Sequence, residues 1–326
     1  MDISIVIPLY NEEESLPELT DWIRRVLEKE GLSYEIIMVD DGSKDNSWNV
    51  IEQLARKFPQ ARGIKFQRNY GKSAALNTGF QASRGTVVAT MDADLQDSPE
   101  ELPELYRMIV EEGYDMVSGW KKKRKDPLFS KNIPSKFYNW TARRMTGIRL
   151  HDFNCGLKAY RRDVVKSIEL YGEMHRYIPV LAKWAGFSKI GEKVVAHQER
   201  KYGTTKFGME RFIRGPLDLM SVIFISRFSK RPMHFFGPLG TLIFALGFFA
   251  AGYIGINKLY RLKHHLPTIL VADNPYFFIS LTCMIIGTLL FVTGFLAELV
   301  SRNAPDRNQY LIEKRTENRQ GKSKST

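Results

Sequence analysis

Short apolar blocks alternate with amphipathic stretches over roughly the first 230 residues, and two long uncharged runs follow. The blocks predict strands at 3–8, 34–40, 63–67, 86–91 and 115–118, each bounded by turn-forming or charged residues. The stretches between them carry helical spacing at 12–29, 43–57, 73–82 and 99–112. Ser43 or Asp45 suits the N-cap of the second helix, and Pro99 sits in the first turn of the fourth. Strand and helix in strict alternation imply an α/β fold: a mostly parallel sheet covered by helices on both faces. After Gly119 the pattern loosens. Helices are expected at 136–145 and 164–170, and strands at 156–160 and 193–197; no internal repeat is visible.

Phe235–Asn257 and Pro275–Ala297 each hold 23 residues without an acidic or basic side chain. About 20 residues span a bilayer core, so both read as transmembrane helices, with two buried core helices as the alternative. Glycines such as Gly240, Gly247, Gly287 and Gly294 suit packed membrane helices and allow a homo-oligomer. Arg227, Lys230 and Arg231 flank the first run. Arg302, Arg307, Lys314, Arg315, Arg319, Lys322 and Lys324 follow the second. Only Lys258, Arg261 and Lys263 lie between the runs, so the bias places both ends in the cytoplasm. Residues 207–231 mix apolar side chains with Arg211, Arg214 and Arg227 around a Gly215-Pro216 break. They are expected to lie as amphipathic helices at the interface, or else to close the preceding domain. The expected organisation is an α/β domain at 1–206, juxtamembrane helices at 207–233, a transmembrane hairpin within 234–300, and a basic tail at 301–326, its last part polar enough for disorder.

Composition narrows the partners. Net charge is +12 over 326 residues, which favours polyanionic partners. The basic residues concentrate beside the apolar runs, which points to phosphorylated substrates and lipid and away from nucleic acid. Met1-Asp2 leads directly into a strand pattern, without a signal peptide. Cys155 and Cys283 are the only cysteines, and the second falls in an apolar run, so no disulfide is expected.

In open α/β sheets ligands bind beyond the carboxyl ends of the strands. Pro8-Leu9-Tyr10-Asn11-Glu12 ends the first strand, Asp40-Asp41-Gly42-Ser43 the second, and Asp92-Ala93-Asp94-Leu95-Gln96-Asp97 the fourth. Acids delivered by several segments to one edge repel unless a cation is present. Oxygen ligands suit Mg2+ or Mn2+, held by one or two carboxylates plus substrate phosphates. Neither G-x-x-x-x-G-K-[ST] nor a G-x-G-x-x-G after the first strand occurs. A diphosphate would therefore be handled through a metal, as a nucleotide-sugar requires.

These segments, with Arg68-Asn69-Tyr70-Gly71-Lys72 and Leu95 to Pro99, resemble the inverting family 2 glycosyltransferases of GT-A fold, and within them the polyprenyl-phosphate (dolichol-phosphate-mannose-synthase-like) branch. The paired apolar runs resemble its membrane-anchored bacterial members. The resemblance implies that Pro8, Tyr10, Asn11 and Glu12 line the base and ribose pocket and that Asp40 or Asp41 reads the base edge. It implies that Lys72 approaches the phosphates, and that Asp92, Ala93 and Asp94 meet the nucleotide-sugar, with Asp92, Asp94 and Gln96 as metal ligands. Strand-end packing is the plainer role for Tyr10, and a solvated loop lysine for Lys72.

Asp152-Phe153-Asn154-Cys155-Gly156 resembles the acceptor-side segment of that family, making Asp152 and Asp94 the candidate catalytic carboxylates; a simple cap is the alternative for Asp152. His197 to Lys206 resembles the H-x-x-R-x-x-G-x-S-K-Y stretch, with Thr205 for Ser and Phe207 for Tyr. Arg200, Thr205 and Lys206 are then expected to grip an acceptor phosphate; a lipid-attracted basic run is the alternative. Lys121 to Lys125 is expected to form a mobile basic loop over the site or towards the membrane, or a solvated charge run. The implied activity is transfer of a sugar from a nucleotide-sugar, a UDP-sugar ahead of a GDP-sugar, to polyprenyl phosphate with inversion. A processive polysaccharide synthase would carry Q-x-x-R-W, which is absent. A non-catalytic nucleotide-sugar sensor would not need every carboxylate.

Overall fold

Seven strands build one sheet in the order β3-β2-β1-β4-β6-β5-β7. The computed structural model describes residues 1–122, 147–198, 201, 228 and 232–302. β1 (Ile3–Leu9) and β2 (Tyr34–Asp40) are buried at every position, which is why their sequences run apolar instead of alternating. β1 pairs parallel with β2 and with β4 (Val87–Thr90), and β2 pairs parallel with the half-buried edge strand β3 (Ala61–Lys65). β6 (Lys158–Arg161) runs antiparallel to β4 and to β5 (Met116–Trp120), and β7 (Ile190–Val194) is parallel to β5. One strand of seven is thus reversed.

Helices cover both faces. On one side α1 (Leu16–Lys29), α2 (Ser47–Lys57) and α4 (Leu102–Val110) pack over Ile3, Ile5 and Ile7. α1 does so with Leu16, Leu19, Ile23 and Leu27, one stripe at helical spacing. On the other side α3 (Lys72–Ala82), α5 (Arg162–Ser167) and α6 (Ile178–Trp184) pack over Val6, Ile37 and Val39.

The first two helices begin later than their sequences predict, at 16 and 47 instead of 12 and 43, for a shared reason. Polar residues ahead of them join the two loops, although Asp45 Oδ1 also accepts the Ser47 N–H at the start of α2 (3.0 Å). The Asn11 N–H donates to Ser43 Oγ (2.8 Å), the Glu12 N–H to Ser47 Oγ (2.9 Å) and the Asn46 N–H to Glu13 (2.8 Å). The ends of β1 and β2 are thereby locked side by side. The predicted strand at 193–197 is observed at Ile190–Val194, with His197 left in an isolated bridge to Asp97. The predicted helix at 136–145, nearly all of the juxtamembrane segment and nearly all of the basic tail lie outside the described residues.

The chain divides into Met1–Ile223 and Phe224–Thr326. In the second unit, α7 (Met233–Lys263) and α8 (Pro275–Arg302) reach mean hydropathies of 2.0 and 2.2 over their most apolar windows. Most of each window is exposed, 11% and 17% being buried, so these are not core helices of a soluble domain. They pack through glycine: a Cβ on Gly240 would lie 2.6 Å from the Gly287 carbonyl oxygen, and one on Gly247 2.5 Å from that of Ser280. At 1.5 Å per residue α7 is about 46 Å long, enough to cross the apolar core and emerge from it.

Glu35 anchors the sheet at the edge opposite the strand ends discussed below. It is 4% exposed and accepts hydrogen bonds from Ser4 Oγ (2.7 Å), the Arg84 N–H (2.7 Å) and Arg62 Nε (3.0 Å) and Nη2 (2.9 Å). Burial pushes its carboxyl upward, but these donors outweigh it and hold Glu35 below the usual carboxylate range. A depressed carboxyl contributes stability above its unfolded value and loses it as pH falls through its folded value. Glu35→Ala is expected to cost about 3 kcal/mol at neutral pH, because Arg62 loses its buried partner. The cost should shrink below pH 4, as read by denaturant unfolding of the solubilised protein.

Candidate active site

The carboxyl ends of β1, β2 and β4 lie side by side, and what each delivers differs. At the end of β1, Asn11 takes a left-handed φ of 56°, a conformation that asparagine tolerates. Its side-chain oxygen accepts the Lys44 N–H (2.8 Å), so Asn11 holds the β2 loop. Glu12 receives a hydrogen bond from Ser15 Oγ (3.3 Å). Pro8 is buried in the strand and Tyr10 is half-exposed beyond it.

The adjacent acids of β2 have separate tasks. Asp41 accepts the N–H groups of Tyr70 (2.7 Å) and Gly71 (2.9 Å), closing the loop that leads to Lys72. Burial, with the neighbouring Asp40 charge, still pushes its carboxyl up. Asp40 is fully buried and accepts the Ser43 N–H with Oδ1 (2.8 Å), while its Oδ2 has no partner among the described residues. Of the two, only Asp40 has a side-chain oxygen without a partner among the described residues.

The end of β4 carries the charge. Asp92 lies 2.5 Å from Lys72 Nζ, and its side chain is 32% exposed. Burial alone would raise its pKa. The ammonium groups of Lys72, Lys121 and Lys158 overturn that and hold Asp92 at about 2. Asp94 is buried and its Oδ1 accepts the Gln96 N–H (3.2 Å). Ala93 and Leu95 sink into the core beneath them, so the Ala93 methyl faces protein. Leu95 adopts φ of 58°, a strained conformation for a branched side chain. The Gln96 carbonyl accepts the Gln198 N–H (2.9 Å), and Asp97 bridges His197. The 92–98 loop is therefore stitched to the segment that leads into residues 200–206. Arg200, Thr205 and Lys206 themselves lie outside the described residues.

Three basic side chains complete the site in ways the sequence left open. Lys121 is not in a solvated run: it is largely buried, with Nζ 2.7 Å from Asp97 Oδ1. Burial lowers its pKa, but Asp97, Cys155 and Asp92 raise it more, so it stays charged. Lys122 beside it is exposed, with Nζ 5.6 Å from the centroid of the Trp120 ring, and Lys123 to Lys125 lie outside the described residues. Lys158, on β6 and 4% exposed, donates to the Cys155 carbonyl; burial pushes its pKa down. A lysine between Leu157 and Ala159 in a strand pattern was the available signal. His175, Nδ1 3.0 Å from Ser73 Oγ, is held neutral by burial and by the charges of Lys72, Arg176 and Lys158. Burial also pushes the Cys155 thiol up to about 12, which makes it inert.

Gly156 admits this arrangement. A Cβ there would lie 2.5 Å from Asp92 Oδ2, and its carbonyl accepts Thr90 Oγ1 (2.9 Å), fixing β6 against β4. Asp152 is buried close by in the chain, with Oδ1 accepting the Asn154 N–H (3.0 Å).

The donor set fits a divalent cation. Asp92 is held anionic, its ligands are hard oxygens, and an ammonium already sits against it. Among the described residues no group of three His, Cys, Asp or Glu surrounds one point, so the ion would need substrate oxygens as well. Gly156→Ala should displace Asp92. Donor affinity measured by calorimetry with Mn2+ is expected to fall about tenfold, with little change in melting temperature.

Residues 4–169 match the family described as Glycosyl transferase family 2. The chain is 37% identical over 304 residues to a dodecaprenyl-phosphate galacturonate synthase of Rhizobium johnstonii, covering 93% of this chain and 88% of that one. It is 34% identical over 316 residues to an undecaprenyl-phosphate 4-deoxy-4-formamido-L-arabinose transferase of Proteus mirabilis, covering 96% and 93%. Glucosyl-3-phosphoglycerate synthase from Mycobacterium tuberculosis, crystallised with Mn2+ and uridine-diphosphate-glucose, shares the fold at 20% identity and a TM-score of 0.52, covering 69% of this chain and 78% of that one. With the match spanning half the chain and relatives aligned along nearly its full length, the chain belongs to glycosyl transferase family 2.

Proposed function

We propose that this membrane protein transfers a sugar from a UDP-sugar to a polyprenyl phosphate with inversion, giving a lipid-phosphate-linked sugar and UDP. The carrying observation is one charged site, Asp92 among Lys72, Lys121 and Lys158, on a chain that also has two apolar helices long enough to cross a membrane. Relatives along nearly the whole chain are named for polyprenyl-phosphate acceptors, which supports the lipid. The charge bias supports a cytoplasmic catalytic domain and cytoplasmic termini.

Asp40 Oδ2, buried and without a partner among the described residues, accepts the ring N–H of the base, while Tyr10 and Glu12 line the nucleoside side. Asp41 acts only through the loop it closes. Asp92 and Asp94 would hold Mg2+ or Mn2+, with Gln96 a third ligand, and the ion supplies charge neutralisation on the diphosphate. Lys72, Lys121 and Lys158 add positive charge around the same point, so that an anionic nucleophile can approach an anionic donor.

The acceptor phosphate, with a second pKa of about 6, is already anionic at neutral pH. It needs no proton removed. Its oxygen forms the new bond to the anomeric carbon as the bond to the diphosphate oxygen breaks, with the electron pair leaving on UDP. Asp152 orients the reacting sugar or acceptor. Arg200, Thr205 and Lys206 grip the acceptor phosphate.

The test is incubation of the reconstituted protein with labelled UDP- and GDP-sugars and polyprenyl phosphate, counting label in the lipid phase. Label from UDP-sugars alone supports the reading; label from GDP-sugars alone overturns the base, and none at all overturns the acceptor. Asp94→Asn is expected to lower transfer about a hundredfold or more; normal turnover would remove Asp94 from the metal. Lys206→Ala should raise the KM for the lipid more than that for the donor, and equal effects would count against its acceptor role.

A further inference from the structure

Glu192 sits in the middle of β7, beyond the residues matched by the family. Its side chain is 11% exposed, which is costly for a carboxylate unless its oxygens are occupied. They are. Oε1 accepts two successive backbone N–H groups, those of His151 (2.8 Å) and Asp152 (3.0 Å). Oε2 lies 2.7 Å from His151 Nδ1. The imidazole in turn lies flat on the indole of Trp120, with centroids 4.1 Å apart and planes 13° from parallel. Trp120 ends β5, immediately before Lys121.

Every contact converges on one short segment. Two N–H bonds to a single oxygen fix the orientation of both peptide planes, and the ring contact fixes the side chain between them. The Cα–Cβ direction of Asp152 is then set from its N-terminal side by Glu192. Its carboxylate is set from the C-terminal side by the Asn154 N–H (3.0 Å), and its carbonyl by Ser118 Oγ (3.3 Å). His151 is 53% exposed, so water could satisfy a loop at this place. A buried carboxylate is not needed to solvate it. Orientation is what the carboxylate adds.

We infer that Glu192 is a positioning residue for the transfer reaction: through the His151 ring braced on Trp120 it aims the Asp152 carboxylate at the reacting sugar. The inference rests on the reading of Asp152 as acting at that point. It explains why β7, which brings no group of its own to the strand ends of β1, β2 and β4, carries an acid facing inward.

The test is a double-mutant cycle on the full-length protein in lipid. Glu192→Ala is expected to lower kcat by about tenfold to a hundredfold, the range for misplaced reacting groups and their supports. The donor KM and Mn2+-supported UDP affinity should stay within about twofold, because the β2 and β4 ends are untouched. Glu192→Gln, which keeps an oxygen for both N–H groups, should recover most of the rate. His151→Ala keeps those two bonds and should give a smaller loss. In an Asp152→Asn background neither Glu192→Ala nor His151→Ala should cost more than about twofold further. The same fold-loss with and without Asp152 would overturn the inference, as would donor affinity falling in step with kcat. If Glu192→Ala fails to fold, the Gln and His151 variants carry the comparison. Full turnover by Asp152→Asn would instead overturn the reading of Asp152 itself, a distinct result.

Discussion

The site depends on one constraint: carboxylates delivered by parallel strands to a single sheet edge must be neutralised. Parallel pairing of β1, β2 and β4 leaves no choice about where their ends fall. Asp40 and Asp41 therefore fall on the same edge as Asp92 and Asp94, one strand apart, and the fold answers the two pairs differently. Asp41 is neutralised by backbone N–H groups, and Asp92 by lysines from α3, β6 and the end of β5. Those cations come from elements far apart in the chain. The charge balance thus holds the α3 start, β4, β6 and β5 in mutual register, and the reversed strand β6 earns its place by bringing Lys158 and Gly156 to Asp92.

Much of this was legible in the sequence. Buried central strands read as apolar runs, the strand ends read as acid clusters, and the paired uncharged stretches read as spans. Boundaries slipped where polar residues had two possible uses. Ser43 and Asp45 both look like helix caps, yet Ser43 bonds the β1 loop, and Asp45 does both jobs, Oδ1 accepting the first N–H of α2 and Oδ2 the Glu13 N–H. Local pattern cannot tell a cap from a tertiary tie. The same limit hid the basic half of the site. Lys121 sits in a run of like charges, which ordinarily means solvent, and only the fold reveals that Asp97 reaches it. His175 carries no motif, and its place beside Ser73 arises from a contact across 102 residues.

The spans show a related lesson in another medium. In water, glycines weaken helices. Between α7 and α8 they remove the side chains that would separate the backbones, and Gly240 and Gly287 sit against each other. Apolar surface gives no preference for protein over lipid inside a bilayer, so close contact has to supply the association.

The stitching of the 92–98 loop to residues 197–198 has a consequence for the order of events in a catalytic cycle. A backbone hydrogen bond from Gln198 to Gln96 and the Asp97–His197 bridge make the 92–98 loop and residues 197–198 one mechanical piece. Whatever organises the loop organises those residues. Any coupling between ligands held by the two segments is reciprocal: each changes the other's affinity by the same factor. On the function proposed above, a donor and a lipid phosphate would then meet two ends of the same rigid piece, which favours transfer to the lipid over transfer to water.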